Sequence, residues 1–206
     1  MSASELGAVS PERRSVGAVP SGRREEIFVA AAEIFATKGY HATAMNDVAD
    51  AMGLRKASLY HHVQNKETLL YEMSVSSMHH IIDAAMSATS PDPEVHLREI
   101  ITLHVEALMV ERSKHATALV ELRSLSATHR QHITDLRGRY DRLIDEAIRG
   151  VQTTTHRWPG IATRTVRLAM LGMLNWTVFW FSVDGPETPA HIARDFADVF
   201  MPKLSD

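Results

Sequence analysis

The sequence predicts an all-α protein of about nine helices, for three reasons. Apolar residues recur along most of the chain at three- and four-residue spacing. No convincing run alternates apolar and polar residues as a half-buried strand would. The breaks between periodic stretches carry Gly, Pro, Ser, Asp and Thr, the residues that cap and stop helices.

In chain order, Ile27, Ala31, Ile34 and Phe35 form the first stripe, closed by Gly39. Met45, Val48, Ala49 and Met52 form the second, with Thr43 as its N-cap and Gly53 as its stop. Leu54, Ala57 and Leu59 begin a third, very short helix; these first three are expected to be short and the later ones longer. A fourth runs from near Asn65 to about Ala88, where Pro91-Asp92-Pro93 breaks the chain. Leu97, Ile100, Ile101, His104, Val105 and Leu108 mark the fifth, and Ser113 caps a sixth through Leu125. An Arg-rich amphipathic helix spans about Ala127 to Val151, interrupted by Trp158-Pro159-Gly160. Residues 161–183 are the most apolar helix, and Asp184-Gly185-Pro186 stops it. Thr188 and Pro189 open the last, with Ile192, Phe196, Val199 and Phe200 on one face.

Composition limits the function classes. The 206 residues are 45% hydrophobic and 23% charged, a globular balance. With no cysteine there is no disulfide, thiolate metal site or thiol nucleophile, which suits a reducing compartment. The N-terminus has no apolar run of signal-peptide length and reads as a flexible tail over residues 1–20. The apolar run Leu168 to Val183 is interrupted by Gly172 and Asn175 and is short for a membrane span, so a cytoplasmic protein with no membrane partner is expected. There is no H-E-x-x-H, Gly-rich phosphate loop, G-x-S-x-G or paired Glu-x-x-His, which argues against an enzyme. Twelve histidines raise a metal-responsive alternative, with His129 and His132 three apart. No acid–histidine cluster stands out at ligand spacing, so no metal and no cofactor are expected.

Net charge is −3, yet the stretch GLRKASLYHHVQNKETLL, residues 53–70, holds Arg55, Lys56 and Lys66 with no acid before Glu67. A helix, a turn at Gly53-Leu54 and a short donor-rich helix make a helix-turn-helix pattern. Leu54, Ala57 and Leu59 would hold the second helix against Val48 and Phe35. Arg55, Lys56, Ser58, Tyr60 and His61 would then face outward, and His62 would be structural. Such a helix fits the major groove of B-DNA. Lys66 would hold a phosphate at the start of the next helix.

Residues 30–70, AAAEIFATKGYHATAMNDVADAMGLRKASLYHHVQNKETLL, resemble the TetR-type one-component transcriptional regulators. The matching positions are Phe35, Lys38-Gly39-Tyr40, Thr43, Asp47-Val48-Ala49, Gly53, Ser58-Leu59-Tyr60-His61-His62 and Lys66-Glu67. The resemblance implies a helix-turn-helix head over 21–67 and a larger ligand-binding and dimerisation domain over 68–206. It also implies a homodimer formed through the last two helices, a palindromic double-stranded DNA operator, and a small hydrophobic effector that releases it. Thr43 would be both N-cap and phosphate donor, and Arg23 and Arg24, just before the first helix, could touch phosphate from the tail. The sequence departs from the family pattern at three places. Arg55 replaces the usual small N-cap and cannot accept the capping bond, so a base or phosphate contact is expected. Ala57 replaces a Gly, and Val63 replaces a Phe, which suggests looser packing.

Leu174-Asn175-Trp176 through Trp180, followed by the Asp184-Gly185-Pro186 turn, resembles a subgroup that senses acyl-CoA thioesters. Arg130, Arg137, Arg139, Arg142 and Arg149 could serve its phosphates, although Arg139, Arg142 and Arg149 interleave with Asp135, Asp141, Asp145 and Glu146, and helix ion pairs explain most of that without a ligand. Other hydrophobic effectors, including the varied compounds of a multidrug-efflux regulator, remain open, as does no small ligand. Candidate pocket residues are Met109, Leu122, Arg123, Met170, Met173, Trp176 and Phe179. Asn175, polar in an apolar helix, should have a partner or line a cavity.

Overall fold

The computed structural model describes residues 22–202, and the tail expected over residues 1–20 lies outside them. Nine α-helices and no strand occur among the described residues. Helix α1 (Arg23–Lys38) has 16 residues and is not the short element expected. It ends where Gly39 takes φ 88°, a left-handed value that side chains resist, and the Gly39 N–H donates to Phe35 O at 3.0 Å. Helices α2 (Met45–Ala51) and α3 (Lys56–His62) have seven residues each.

Helix α4 (Lys66–Met86) starts at Asn65, whose side chain accepts from the Thr68 N–H at 2.8 Å. Helix α5 (Pro93–Val110) combines an Asp92 cap on the Val95 N–H, at 2.9 Å, with proline at its first position. Helix α6 (Arg112–Val120) begins earlier than expected, with Glu111 rather than Ser113 at its N-cap. A 3₁₀ turn over Glu121–Ser124 replaces the rest of that expected helix. Helix α7 (Ala127–Thr155) is capped by Ser126 and closes at His156 with φ 54°. Helices α8 (Thr163–Trp180) and α9 (Pro189–Phe200) are the last described, with the Thr188 hydroxyl accepting from the His191 N–H.

Two apolar cores form. One gathers α1, α2 and α3 around Phe28, Phe35, Val48 and Leu59, and takes in Leu69, Leu70 and Met73 of α4 and Ile133 and Leu136 of α7. The other packs α5 between α4, α7, α8 and α9 around Ile100, Ile101, Ile144, Ile148 and Met170. Helix α4 serves both, so one 21-residue rod joins the two halves. Arg98 fastens α9 to α5 by pairing with Asp198 at 2.6 Å and donating to the Met201 carbonyl.

Leu59 is fully buried and is the main apolar anchor of α3, since Ala57 turns out exposed and Leu54 only half-buried. Val63 is also buried, so the smaller residue is packed and not loose. Leu59→Ala is expected to cost about 2–5 kcal/mol. Urea unfolding measures this; a loss below about 1 kcal/mol would mean that α3 is held by something else.

Candidate nucleic-acid interface and effector cavity

The turn between α2 and α3 is set by Gly53 at φ 61° and by the Leu54 N–H, which donates to Ala49 O at 2.8 Å. With Leu59 turned inward, Arg55, Lys56, Tyr60 and His61 are exposed and Ser58 is half-exposed. Arg55 is the N-cap and its side chain makes no capping bond, leaving the guanidinium free to reach outward. The Lys56 Nζ lies 6.0 Å from the Tyr60 ring. His62, expected to be structural, is exposed as well. The two basic residues of the first turn are engaged elsewhere: Arg23 pairs with Glu26 at 2.7 Å, and Arg24 with Glu72 of α4.

Two expected phosphate contacts are placed differently. Thr43 is almost fully buried, its hydroxyl donates to Gly39 O at 2.8 Å, and the N-cap of α2 is Ala44. The free Ala44 N–H is taken by the Asp47 carboxylate at 2.7 Å, which also pairs with Lys38 at 2.6 Å. These bonds hold the Asp47 carboxyl below its usual range, the Lys38 bond contributing most. The Lys66 ammonium points inward. It donates to the carbonyls of Tyr40 and Thr43, both at 2.9 Å, and of His41 at 3.3 Å, and lies 4.5 Å from the Tyr40 ring centre. An ammonium has three donors, and here all three meet carbonyls. Lys66 therefore clamps the α1–α2 turn to α4 instead of offering donors to solvent.

The larger half contains a cavity of about 320 Å³ between α4, α5, α6, α7 and α8. Met78, Ile81, Leu108, Leu119 and Leu171 give it an apolar lining. A polar row crosses it: His104 bonds the Tyr140 hydroxyl through Nδ1, at 2.6 Å, and Asn175 Oδ1 through Nε2, at 3.2 Å. Asn175 Oδ1 can only accept, so Nε2 carries the proton and Nδ1 accepts from Tyr140. Burial pushes His104 down to about 4, against a smaller opposing effect of Asn175, and pushes Tyr140 upward. His115, on α6, bonds Ser77 Oγ through Nδ1 at 2.5 Å, and its buried Nε2 has no partner among the described groups. Burial brings His115 to about 3 despite the neighbouring Glu111.

Two arginines reach this cavity. Arg137 donates to Ala118 O at 3.0 Å, and burial lowers its pKa. Arg167 is buried between Asp141, at 2.6 Å, and Asp145, at 2.9 Å. Arg167 escaped the sequence reading, although its place in the most apolar helix is the signal of a paired buried charge. Arg139, Arg142 and Arg149 are exposed, and the helix ion pairs expected for them are not what the structure makes: Asp141 and Asp145 pair with Arg167, and Asp135 accepts from Gln131.

None of the seven residues expected to line a ligand pocket lines this cavity. Met170 is core, and Met109 packs against the same core. Leu122 joins the head cluster, and Arg123 is exposed on the 3₁₀ turn. Met173 is half-buried, while Trp176 and Phe179, 4.7 Å apart, sit on the outer face of α8. Helical spacing identifies a stripe but not which neighbour faces it, and here the aromatic stripe faces outward. The Asn175 expectation fits, since it has a partner and lines the cavity.

The cavity wall also touches the head. Helix α6 carries His115, Ala118 and Leu119 on the cavity side, and packs against α1. Lys114, on the same helix, is buried and bridges Glu111, at 2.9 Å, and Glu25 of α1. It also donates to the Ser76 hydroxyl at 3.2 Å and lies 5.9 Å from the Phe28 ring.

Residues 27–73 match the sequence profile described as bacterial regulatory proteins, tetR family, and residues 90–204 match the tetracyclin repressor-like C-terminal domain. The chain is 25% identical over 194 residues to the HTH-type transcriptional repressor KstR2 of Mycolicibacterium smegmatis, covering 88% of this chain and 90% of that protein. To KstR2 of Rhodococcus jostii it is 33% identical over 112 residues, 53% of this chain and 55% of that protein. The TetR family regulator PfmR from Thermus thermophilus superposes with a TM-score of 0.80 at 32% identity, covering 87% of this chain and 99% of that one. AibR in complex with isovaleryl coenzyme A and operator DNA superposes at 0.74 with 26% identity, covering 88% and 99%.

Two outcomes follow from this geometry. Lys66→Met should lower the head's stability by about 1.5–3 kcal/mol, the scale of a charged hydrogen bond lost. An unchanged melting point with weakened DNA binding would instead restore a phosphate role for Lys66. The buried neutral His104 and His115 have pKa values below the unfolded value of about 6.5. The unfolded chain then binds more protons as pH falls below about 6.5, so stability should decline toward about pH 4, by up to about 1.4 kcal/mol per pH unit for each ring. Urea midpoints between pH 7.5 and 5 test this; a flat profile would show that the rings are not neutral and enclosed.

Proposed function

Since the chain belongs to the TetR family of bacterial regulatory proteins, we propose that it is a homodimeric repressor released from a palindromic operator by a small effector with an apolar body. Family membership makes it a DNA-binding transcriptional regulator and not an enzyme. We take residues 21–67 as the DNA-reading head and 68–206 as the effector and dimer domain. No described helix is long and apolar enough to cross a membrane, and a cytoplasmic site of action beside the DNA is part of the proposal.

In this account Arg55, Lys56, Ser58, Tyr60 and His61 meet the major groove from α3. Thr43 and Lys66 position that surface and do not bind phosphate through their side chains. Half-sites would lie roughly 34–36 Å apart or somewhat more. The dimer would form through α8 and α9, where Leu168, Trp176, Phe179, Trp180, Val183 and Val199 leave an apolar face exposed. Exposed Gly172 lies on that face and leaves room for a close helix. Leu168 and Gly172 also border the cavity, so a partner packed there would cover its mouth.

The observation that carries the effector reading is the row Tyr140–His104–Asn175 inside an otherwise apolar cavity. It suits a ligand with a hydrocarbon body and one carbonyl or hydroxyl group. An acyl-CoA thioester is the effector class we favour. About 320 Å³ holds a short branched or small-ring acyl group but not the nucleotide, which would stay outside near Arg137. The AibR complex with isovaleryl coenzyme A supports this class for a similar fold.

A thermal-shift panel of acyl-CoA thioesters, free acids and CoA alone tests it. A thioester at 100 times its Kd should add about 2.7 kcal/mol, and Arg137→Ala should remove most of that shift. A flat thioester series, with shifts for uncharged hydrophobic compounds, would replace the CoA reading. For the head, Tyr60→Ala should weaken operator binding with the melting point unchanged. Arg55→Ala should cost about 1–3 kcal/mol at particular base pairs in anisotropy titrations over single-substitution operators; a uniform loss would identify a phosphate contact.

A further inference from the structure

The sequence shows no metal-ligand cluster, yet the fold assembles one outside the polar row of the cavity. His80 of α4, Glu111 at the joint of α5 and α6, and His115 one turn into α6 offer ligand atoms within 4.8 Å of one another. We propose that these three residues form a binding site for a divalent first-row transition ion such as Zn²⁺, separate from the effector's polar row.

Geometry and chemistry support the assignment. His80 Nδ1 already faces Glu111 Oε2 at 3.3 Å. His115 is oriented by Ser77 through Nδ1, and its buried Nε2 has no hydrogen-bond partner among the described groups. A buried polar atom without a partner is costly, and a ring nitrogen fixed by a hydrogen bond through its other nitrogen is the usual preparation of a metal-binding histidine. Ligand atoms around a tetrahedral zinc ion lie roughly 3.3–3.5 Å apart, so small side-chain rotations would close the set. Charge agrees as well. Glu111 and Glu25 surround the single ammonium of Lys114, an excess of one negative charge. Two imidazoles and a carboxylate favour zinc-like ions over calcium or magnesium, which prefer oxygen.

Half-buried His80 gives an ion access from the surface, and a fourth coordination position remains for water. An ion here would join α4 to the α5–α6 joint. It would also compete with Lys114 for Glu111, and Lys114 is the residue that reaches Glu25 of α1.

The test uses the full chain, stripped by a chelator and then dialysed. Zn²⁺ is titrated against a chromophoric competitor, and Co²⁺ is added separately for its visible d–d absorption. One tight equivalent per chain is expected, with a low-coordinate cobalt spectrum. His80→Ala and Glu111→Gln should each weaken binding tenfold or more. His79→Ala and His191→Ala, at exposed or acid-paired surface histidines, should leave it unchanged. Circular dichroism guards against misfolding, and His80→Ala, being half-exposed, is the variant expected to keep its fold. Absence of a tight equivalent, or equal affinity in His80→Ala, would overturn the site and leave only adventitious surface binding. Either result is read without the effector or DNA, so it stands or falls apart from the thioester reading.

Discussion

The buried ammonium of Lys114 is the interaction on which the two halves of this molecule depend. A charge with almost no solvent access must be met by opposite charge or by many acceptors. Here the acceptors come from three directions: Glu111 at the start of the same helix, Ser76 on α4, and Glu25 on α1. Satisfying one cation therefore fixes α6 against α4 and the head against both. Removing a partner would strand a charge, so the arrangement tolerates little drift between the halves.

Three helices connect the halves: α6, α4 and α7, whose Ile133 and Leu136 sit in the head core and whose Ile144 and Ile148 sit in the other. Helix α6 shows its apolar and histidine side to the cavity and its Lys114 side to the head. A ligand that moves α6 outward cannot do so without disturbing α1, and α1 carries α2 and α3 through the shared core of Phe35, Val48 and Leu59. The 21 residues of α4 provide the second connection, starting at the Lys66 clamp and passing His80 and Ile81 at the cavity level. The proposed response to an effector thus needs only a small shift of one helix against a rigid neighbour, not a separate hinge.

The head was legible in the sequence because its information is local. Gly39, Gly53, Leu59 and the basic run after residue 53 sit close together in the chain, and each acts through its own turn or helix. What misled there was also local in form but settled by distant partners: Lys66 meets carbonyls some 25 residues earlier, and Thr43 commits its hydroxyl to Gly39. The cavity was harder to read, because its lining comes from five helices and no single stripe describes it. Trp176 and Phe179 follow helical spacing as well as any core pair, yet lie outside, where an oligomer would cover them. Asn175 stood out as a polar group in an apolar helix, and that mismatch led to the cavity where the aromatic and methionine residues did not. The meeting of His80 with Glu111 and His115 depends on how α4 crosses the α5–α6 joint, which no spacing in the chain encodes.

The central claim is that effector occupancy reaches the DNA-reading helix through the Lys114 contact between α6 and α1. The most direct measurement is operator affinity, on DNA selected by the protein from a random pool, with and without a saturating stabilising thioester, in the natural chain and in Glu25→Gln. The variant should still bind the thioester but lose at least tenfold of its effect on operator affinity. An equal effect in both proteins would contradict this coupling and move the signal to α4 or α7, which span both cores.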